Sequence, residues 1–346
     1  MRRCLELAEQ GLGHTAPNPV VGAVLEYRGR IIGEGFHRQY GKEHAEVACI
    51  QSVAPDDRQL IPDSTLYVSL EPCAHFGKTP PCTDLIIEHR IQQVVIACRD
   101  PFPAVNGRGI LKLQKAGINV TEHVLEKEAW ELNRRFFTFH QRQRPYILLK
   151  WARTANNMVA GENGQRIKIS DPLSDRMVHK WRSEESAILV GTQTALNDNP
   201  MLNNRHWPGP SPVKLLIDRS LKLPDTLEVF QTGPTIIFNE LKNAQEGNRE
   251  YIKLPGGEEP LRGMLKILYE KKITSILVEG GTTLLNAFVK AGLWDEARVI
   301  TNEGMNLEKG WEGPPLPAVD PFREMVIGQD RINWYRNGNA EKAAHE

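Results

Sequence analysis

All five cysteines of this 346-residue chain lie within its first 98 positions: Cys4, Cys49, Cys73, Cys82 and Cys98. Their number is odd, and the start shows no apolar segment with a small-residue cleavage site. A disulfide framework is therefore not expected, and a reducing, cytoplasmic compartment is. Cys49 and Cys98 sit in apolar runs and, with Cys4, read as small buried hydrophobes. Cys73 and Cys82 each follow a proline in polar sequence. His44-Ala45-Glu46 completes a set with them. His44 opens a helical run, Cys73 follows a strand and Cys82 opens the next helix. One His and two Cys match the ligand count of a zinc site that leaves its fourth position to water. A fold that carries this site must bring three separate elements to one point.

The residue types suit hydrolytic deamination. Zinc lowers the pKa of its water, the resulting hydroxide attacks an amine-bearing ring carbon, and a Glu moves the proton to the leaving ammonia. Glu46 is about 200° round a regular helix from His44. Both reach one metal only if His44 lies at or before the first turn. The start of a helix favours a thiolate at Cys82. Eight residues separate Cys73 from Cys82, where zinc deaminases usually have two. A structural zinc site, or unrelated Cys and His residues, are the competing readings.

The length fits two domains. With 43 Lys+Arg against 43 Asp+Glu the net charge is zero, which speaks against a polyanion-binding protein. No run of about 18 apolar residues exists, so no membrane span is expected. Periodicity predicts helices at 1–12, 45–52, 82–89 and 111–116. It predicts strands at 20–25, 30–35, 65–70, 94–97 and 118–120, an α/β domain. The polar stretch 139–145 reads as a linker. A second alternating set follows, with strands at 146–151, 187–190, 213–217, 235–238, 275–278 and 297–301. Its helices fall at 172–182, 261–271 and 283–291. The tail from Arg336 is polar and reads as loose. The expected division is 1–143, 144–335 and a tail at 336–346.

In the second half Val278-Glu279-Gly280-Gly281-Thr282 reads as strand, glycine pair, helix. Glycines there let a diphosphate approach backbone N–H groups at a helix start, although a glycine pair is often a plain turn. Val190-Gly191-Thr192 is a second glycine exit from a strand. Gly11-Leu12-Gly13-His14-Thr15-Ala16 follows a helix rather than a strand and is rejected as a dinucleotide fingerprint.

Several motifs together resemble the RibD-type bifunctional deaminase/reductase family of riboflavin biosynthesis. They are Thr15-Ala16-Pro17-Asn18-Pro19-Val20-Val21-Gly22, Gly35-Phe36-His37, His44-Ala45-Glu46, and the stretch from Glu71-Pro72-Cys73 to Thr79-Pro80-Pro81-Cys82. Arg99-Asp100-Pro101 and Gly107-Arg108-Gly109 continue the match. The long insert between the two cysteines is a feature of that family. The resemblance implies a cytidine-deaminase-like three-layer αβα domain followed by a dihydrofolate-reductase-like α/β domain. It implies Zn2+ on His44, Cys73 and Cys82, with Glu46 catalytic, and substrate contacts from Asn18, His37, Lys78 and Asp100. A Lys on a loop suits phosphate as a point charge.

The second half is similar to the family's NADPH-dependent reductase through Lys150-Trp151-Ala152, Arg182, Gly191-Thr192, Asp198-Asn199-Pro200-Met201-Leu202, Arg205, Ile217-Asp218-Arg219 and Val278-Glu279-Gly280-Gly281. Carried over, Lys150, Asp198 and Glu279 are catalytic. Arg166, Ser170, Arg182, Leu202, Arg205 and Glu279 bind substrate, the arginines suiting phosphate through their planar fork. Ala152, Lys168, Gly191, Thr192, Thr194, Asp198, Gly280, Gly281 and Thr282 line the cofactor, and Arg219 or Ser220 meets its 2′-phosphate. The implied activity has two steps. The first is zinc-dependent hydrolytic deamination of 2,5-diamino-6-(5-phosphoribosylamino)pyrimidin-4(3H)-one. The second is reduction of the ribosyl group to 5-amino-6-(5-phosphoribitylamino)uracil. The expected partner is this small molecule, with no nucleic acid and no membrane, in a homo-oligomer. Five positions in three places depart from the family. Thr154-Ala155-Asn156-Asn157 stands where Ser-x-Asp-Gly is usual, Lys168 where Trp is common and Ser170 where Thr is common. A deaminase with a weakened or inactive reductase, and a nucleic-acid deaminase with an accessory domain, are the alternatives.

Overall fold

The computed structural model describes residues 1–76, 80–102, 105–254, 259–315 and 318–338. The chain divides into two compact units, Met1–Gln143 and Arg144–Glu346. In the first, helices α1 (Arg2–Glu9), α2 (Ala45–Gln51), α3 (Cys82–Glu88), α4 (Arg108–Lys115), α5 (Glu126–Leu132) and α6 (Arg134–Arg142) alternate with five strands. The strands are β1 (Gly22–Tyr27), β2 (Arg30–Phe36), β3 (Thr65–Val68), β4 (Gln93–Ile96) and β5 (Asn119–Thr121). Among the described residues they form one sheet in the order β2-β1-β3-β4-β5. β1 runs antiparallel to β2 and β3, whereas β3, β4 and β5 run parallel.

Strand alternation sends side chains to two faces. Ala23, Leu25, Leu66, Val68, Val94 and Ile96 pack with Cys49, Ile86, Ile110 and Leu113 of α2, α3 and α4. Val24 and Tyr67 turn the other way, toward Cys4 and Leu7 of α1. Ala129 and Phe137 of α5 and α6 close that second face with Leu70 and Ala97. The unit thus has three αβα layers. The linker expected at 139–145 is corrected: α6 runs to Arg142, with Phe136, Phe137 and Phe139 buried. Its polar residues are the outer face of an amphipathic helix, and composition alone cannot distinguish that face from a linker.

The second unit holds β6 (Tyr146–Thr154), β7 (Met158–Ala160), α7 (Pro172–Glu184), β8 (Ala187–Gly191), α8 (Thr192–Asp198) and β9 (Val213–Ile217). Next come β10 (Thr235–Asn239), β11 (Ala244–Glu246), β12 (Arg249–Lys253), α9 (Pro260–Glu270), β13 (Ser275–Val278) and α10 (Thr282–Lys290). β14 (Glu296–Asn302), β15 (Trp311–Glu312), β16 (Arg323–Ile327) and β17 (Asp330–Arg336) complete it. The described strands form a sheet in the order β11-β12-β10-β9-β8-β13-β6-β14-β17-β16, with β7 and β15 as a separate pair. β6, β8, β9, β10, β13 and β14 are parallel neighbours. They are apolar on both faces, as a parallel sheet covered on both sides requires. Ile147, Leu149, Ile276 and Val278 meet Met264, Leu265, Leu285 and Phe288 of α9 and α10. Tyr146, Leu148, Val190 and Leu277 meet Val178, Trp181 and Ala195 of α7 and α8. The loose tail expected from Arg336 begins too early: Arg336 pairs with Glu296, and the Asn337 side chain donates to the Trp294 carbonyl at 2.9 Å.

Candidate metal centre and reductase site

His44 is the residue just before α2, with extended backbone (φ −72°, ψ 161°), and Glu46 lies in the first turn. This is the arrangement that lets the two serve one point. Cys73 lies in the connection after β3, five residues beyond its end rather than at it, and Cys82 is the first residue of α3. The ligand atoms of His44, Cys73 and Cys82 all lie within 4.8 Å of one another. His44 Nδ1 is 3.3 Å from Cys82 Sγ and 3.7 Å from Cys73 Sγ. Among the described residues no fourth His, Cys, Asp or Glu joins this group. Two soft thiols and an imidazole are a zinc donor set, so the residues fit the ion.

The backbone N–H of Cys82 points out of the helix start and donates to Cys73 Sγ at 3.3 Å. The Cys82 thiol, then His44 and this N–H, lower the Cys73 thiol against the effect of burial, and the same thiol pairing holds Cys82 up. Glu46 is buried, and that burial, with the Cys73 charge second, raises its carboxyl. The ring of His37 packs edge-on against His44 at 5.6 Å. His37 Nδ1 lies 2.8 Å from the Glu43 carbonyl, so the proton sits on that nitrogen. Nε2, 3.3 Å from Asn18 Nδ2, then accepts from the amide. Burial lowers the His37 pKa, in keeping with a neutral ring. Among the described residues no donor meets the Asn18 side-chain oxygen. Asp100 is 8 % exposed and burial lifts it to about 7. Lys78 lies outside the described residues.

In the second unit Glu279, just past β13, takes a two-pronged bond from Arg182 of α7. Nε donates to Oε1 and Nη2 to Oε2, both at 2.8 Å. Lys150 Nζ on β6 is 3.9 Å from the same carboxylate. Burial pushes Glu279 up, but Arg182 and then Lys150 outweigh it and hold the carboxyl at about 2. Burial lowers Lys150. The Arg182 fork expected for phosphate is therefore spent on Glu279, and Nη1 donates to the Asn203 carbonyl at 3.2 Å. Asp175, which the sequence did not single out, joins two expected residues: Ser170 Oγ donates to it at 2.6 Å and Lys168 Nζ pairs with it at 2.9 Å. Arg166 reaches the Asp198 carbonyl at 3.3 Å, and burial raises Asp198. The Arg205 N–H donates to His179 Nδ1 at 3.2 Å. Leu202 is buried with φ +53°, a strained backbone for a branched residue.

The two glycine exits are neighbours. A Cβ on Gly280 would stand 2.6 Å from Val190 Cα, and one on Gly281 3.0 Å from Thr194 Oγ1. This brings Gly191, Thr192 and Thr194 beside Gly280, Gly281 and Thr282. Thr192 Oγ1 donates to the Ile217 carbonyl at 2.7 Å, and Thr282 Oγ1 to that of Glu312 at 3.3 Å. Ala152 faces Ile300 in the β6–β14 ladder. Ser220 is exposed beside Arg219, whose guanidinium pairs with Glu240. The unusual turn keeps its geometry. Asn157 takes the left-handed backbone (φ +66°) that a Gly would supply, and asparagine tolerates it. Asn156 accepts from Thr154 Oγ1 at 2.7 Å and donates to the Leu307 carbonyl at 2.7 Å.

The fold and these two clusters define a zinc-binding deaminase unit joined to a reductase unit. Residues 1–98 match the cytidine and deoxycytidylate deaminase zinc-binding region, and 145–302 match the RibD C-terminal domain. RibD of Aquifex aeolicus is 40% identical over 320 residues, covering 89% of this chain and 88% of that one. RibD of Escherichia coli is 34% identical over 317 residues, covering 86% and 84%. Among solved structures, a diaminohydroxyphosphoribosylaminopyrimidine deaminase/5-amino-6-(5-phosphoribosylamino)uracil reductase from Thermotoga maritima superposes with a TM-score of 0.88. It is 37% identical, and the match covers 97% of each chain. The chain belongs to the RibD family of riboflavin-biosynthesis proteins.

Proposed function

We propose that the chain carries out two successive steps of riboflavin biosynthesis. The first unit deaminates 2,5-diamino-6-(5-phosphoribosylamino)pyrimidin-4(3H)-one. The second reduces the ribosyl group with NADPH, giving 5-amino-6-(5-phosphoribitylamino)uracil. The observation that carries this reading is the three-donor cluster beside a buried Glu46, in one chain with a RibD reductase region.

His44, Cys73 and Cys82 would hold the zinc ion, which supplies Lewis acidity and lowers the pKa of water toward neutrality. Glu46 takes the water proton on its carboxylate and delivers it to the departing amine nitrogen; its raised pKa suits a group that must hold a proton between two transfers. Asn18 offers a carbonyl oxygen held in place by His37, and Asp100 and Lys78 complete the substrate contacts. In the second unit NADPH supplies the reducing equivalents. Gly191, Thr192, Thr194 and Gly280–Thr282 would hold it, with Ala152, Lys168 and Ser220. Arg182 fixes the Glu279 carboxylate, and Lys150 beside it holds the ribosyl group together with Ser170, Asp198 and Leu202. Arg166 and Arg205 meet the phosphate. Five unpaired cysteines support a cytoplasmic location, and no helix among the described residues is long and apolar enough to cross a membrane. Exposed Phe322 and Val326 beside the sheet edge support a homo-oligomer. The zero net charge supports a substrate other than nucleic acid.

The test is a product balance with purified protein: one ammonia and one NADP+ per substrate, with one zinc per chain. Ammonia without NADPH oxidation would replace the second step with an inactive domain, and no ammonia would refute the first.

A further inference from the structure

Glu71 has no part in the chemistry above, yet it is 4 % exposed and forms no salt bridge among the described residues. Its neighbour in space Arg99 turns instead to Glu122, at 2.7 Å. Four backbone N–H groups meet the carboxylate. Oε1 accepts from Gly109 at 2.9 Å and Ile110 at 3.4 Å, and Oε2 from Gly107 at 2.9 Å and Asp100 at 3.3 Å. The first turn of α4 has no side-chain cap of its own, because its N-cap is Gly107. A helix start leaves N–H groups without intrahelical partners. Glu71 serves as that cap from 36 to 39 residues away in sequence.

The same contact draws two walls together. A Cβ on Gly109 would lie 2.1 Å from the Pro72 carbonyl oxygen, so the start of α4 rests on the backbone next to Cys73. On the other side Glu71 fixes the Asp100 backbone, while the Phe102 N–H donates to Asp100 Oδ1 at 2.8 Å. Asp100 thereby has one oxygen committed and the other, Oδ2, in a set direction.

We infer that Glu71 is a positioning residue of the deaminase unit: by gathering four N–H groups it fixes Asp100 and the start of α4 against the Cys73 connection, and so sets affinity for the phosphoribosylated pyrimidine. The inference rests on the reading of Asp100 as a substrate contact. Among the described residues four donors and no acceptor face the carboxylate, so Glu71→Gln turns an amide NH2 against N–H groups without changing shape.

The experiment measures ammonia release by the full chain for Glu71→Gln, Asp100→Asn and the double variant, with zinc content and thermal melting alongside. Glu71→Gln is expected to keep one zinc and to raise KM about tenfold, with kcat changed far less. In the Asp100→Asn background it is expected to add nothing further, because both changes remove the same contact. A purely structural Glu71 would instead give independent losses that multiply. Gly107→Ala is the gentler second variant: its Cβ meets nothing within 4 Å and only the φ of +81° is strained, so a smaller KM rise with the same non-additivity is expected. Multiplying losses, a wild-type KM in Glu71→Gln, or loss of zinc overturns the role of Glu71. Asp100→Asn with a wild-type KM overturns the substrate reading itself, and the inference with it.

Discussion

Replacing Arg182 by Met strips Glu279 of its two-pronged partner and leaves only Lys150, 3.9 Å away. Glu279 is 9 % exposed at its side chain, so water does little to replace the guanidinium. Its folded pKa of about 2 lies below the ordinary 4.5. A depressed carboxyl adds stability that is fully present above the unfolded pKa and is lost as pH falls toward 2. Holding the carboxyl at about 2 instead of 4.5 corresponds to ~3 kcal/mol at pH 7. Breaking a buried pair from one side typically costs about that much. Urea denaturation of the full chain, followed through the second unit, should show Arg182→Met weaker by about 3 kcal/mol at pH 7. The deficit should shrink as acid protonates the stranded Glu279 in the variant. Arg182→Met combined with Glu279→Gln removes the unpaired charge and should recover part of the loss, although NADPH oxidation stays low in both. Ammonia release reports that the first unit is intact. A deficit under about 1 kcal/mol, or a double variant no better than the single one, would refute the reasoning, because the pair would then behave like a solvated surface bridge.

Glu46→Gln should keep its zinc while ammonia release drops about 10²–10⁴-fold, and NADPH oxidation on deaminated substrate should not change. A wild-type rate of deamination would remove Glu46 from the mechanism. Cys73→Ser, or exhaustive chelation, should abolish zinc content and ammonia release together and lower the melting point of the first unit. Burial lifts Asp100 to about 7 from an ordinary 3.8, so its ionisation opposes folding increasingly as pH rises across that interval. Asp100→Asn should therefore gain melting temperature relative to the wild type at pH 8 but not at pH 4. Asn157→Val forces a β-branched residue to φ +66° and should cost the second unit about 1–2 kcal/mol in urea denaturation.

The strand–helix alternation was legible because each central strand carries its own apolar pattern and each helix its own 3.6-residue period. Helix α8 escaped because Thr192–Asp198 has little apolar face to show. The stretch 139–145 was misread for the opposite reason: its outer face is polar, and only the packing of Phe136, Phe137 and Phe139 reveals an inner one.

Local sequence determined the types of donor and their placement at element boundaries: a His before a helix, a Glu in its first turn, and cysteines after prolines. Tertiary structure decided which charges meet. The Cys82 N–H at the start of α3 donates to Cys73 Sγ, on the connection nine residues earlier. Arg182 is committed to Glu279 across 97 residues, and Glu71 caps a helix that begins 37 residues later. Such pairings have no period along the chain. They exist only once burial removes water as the competing partner and the sheet order fixes which strand ends lie side by side.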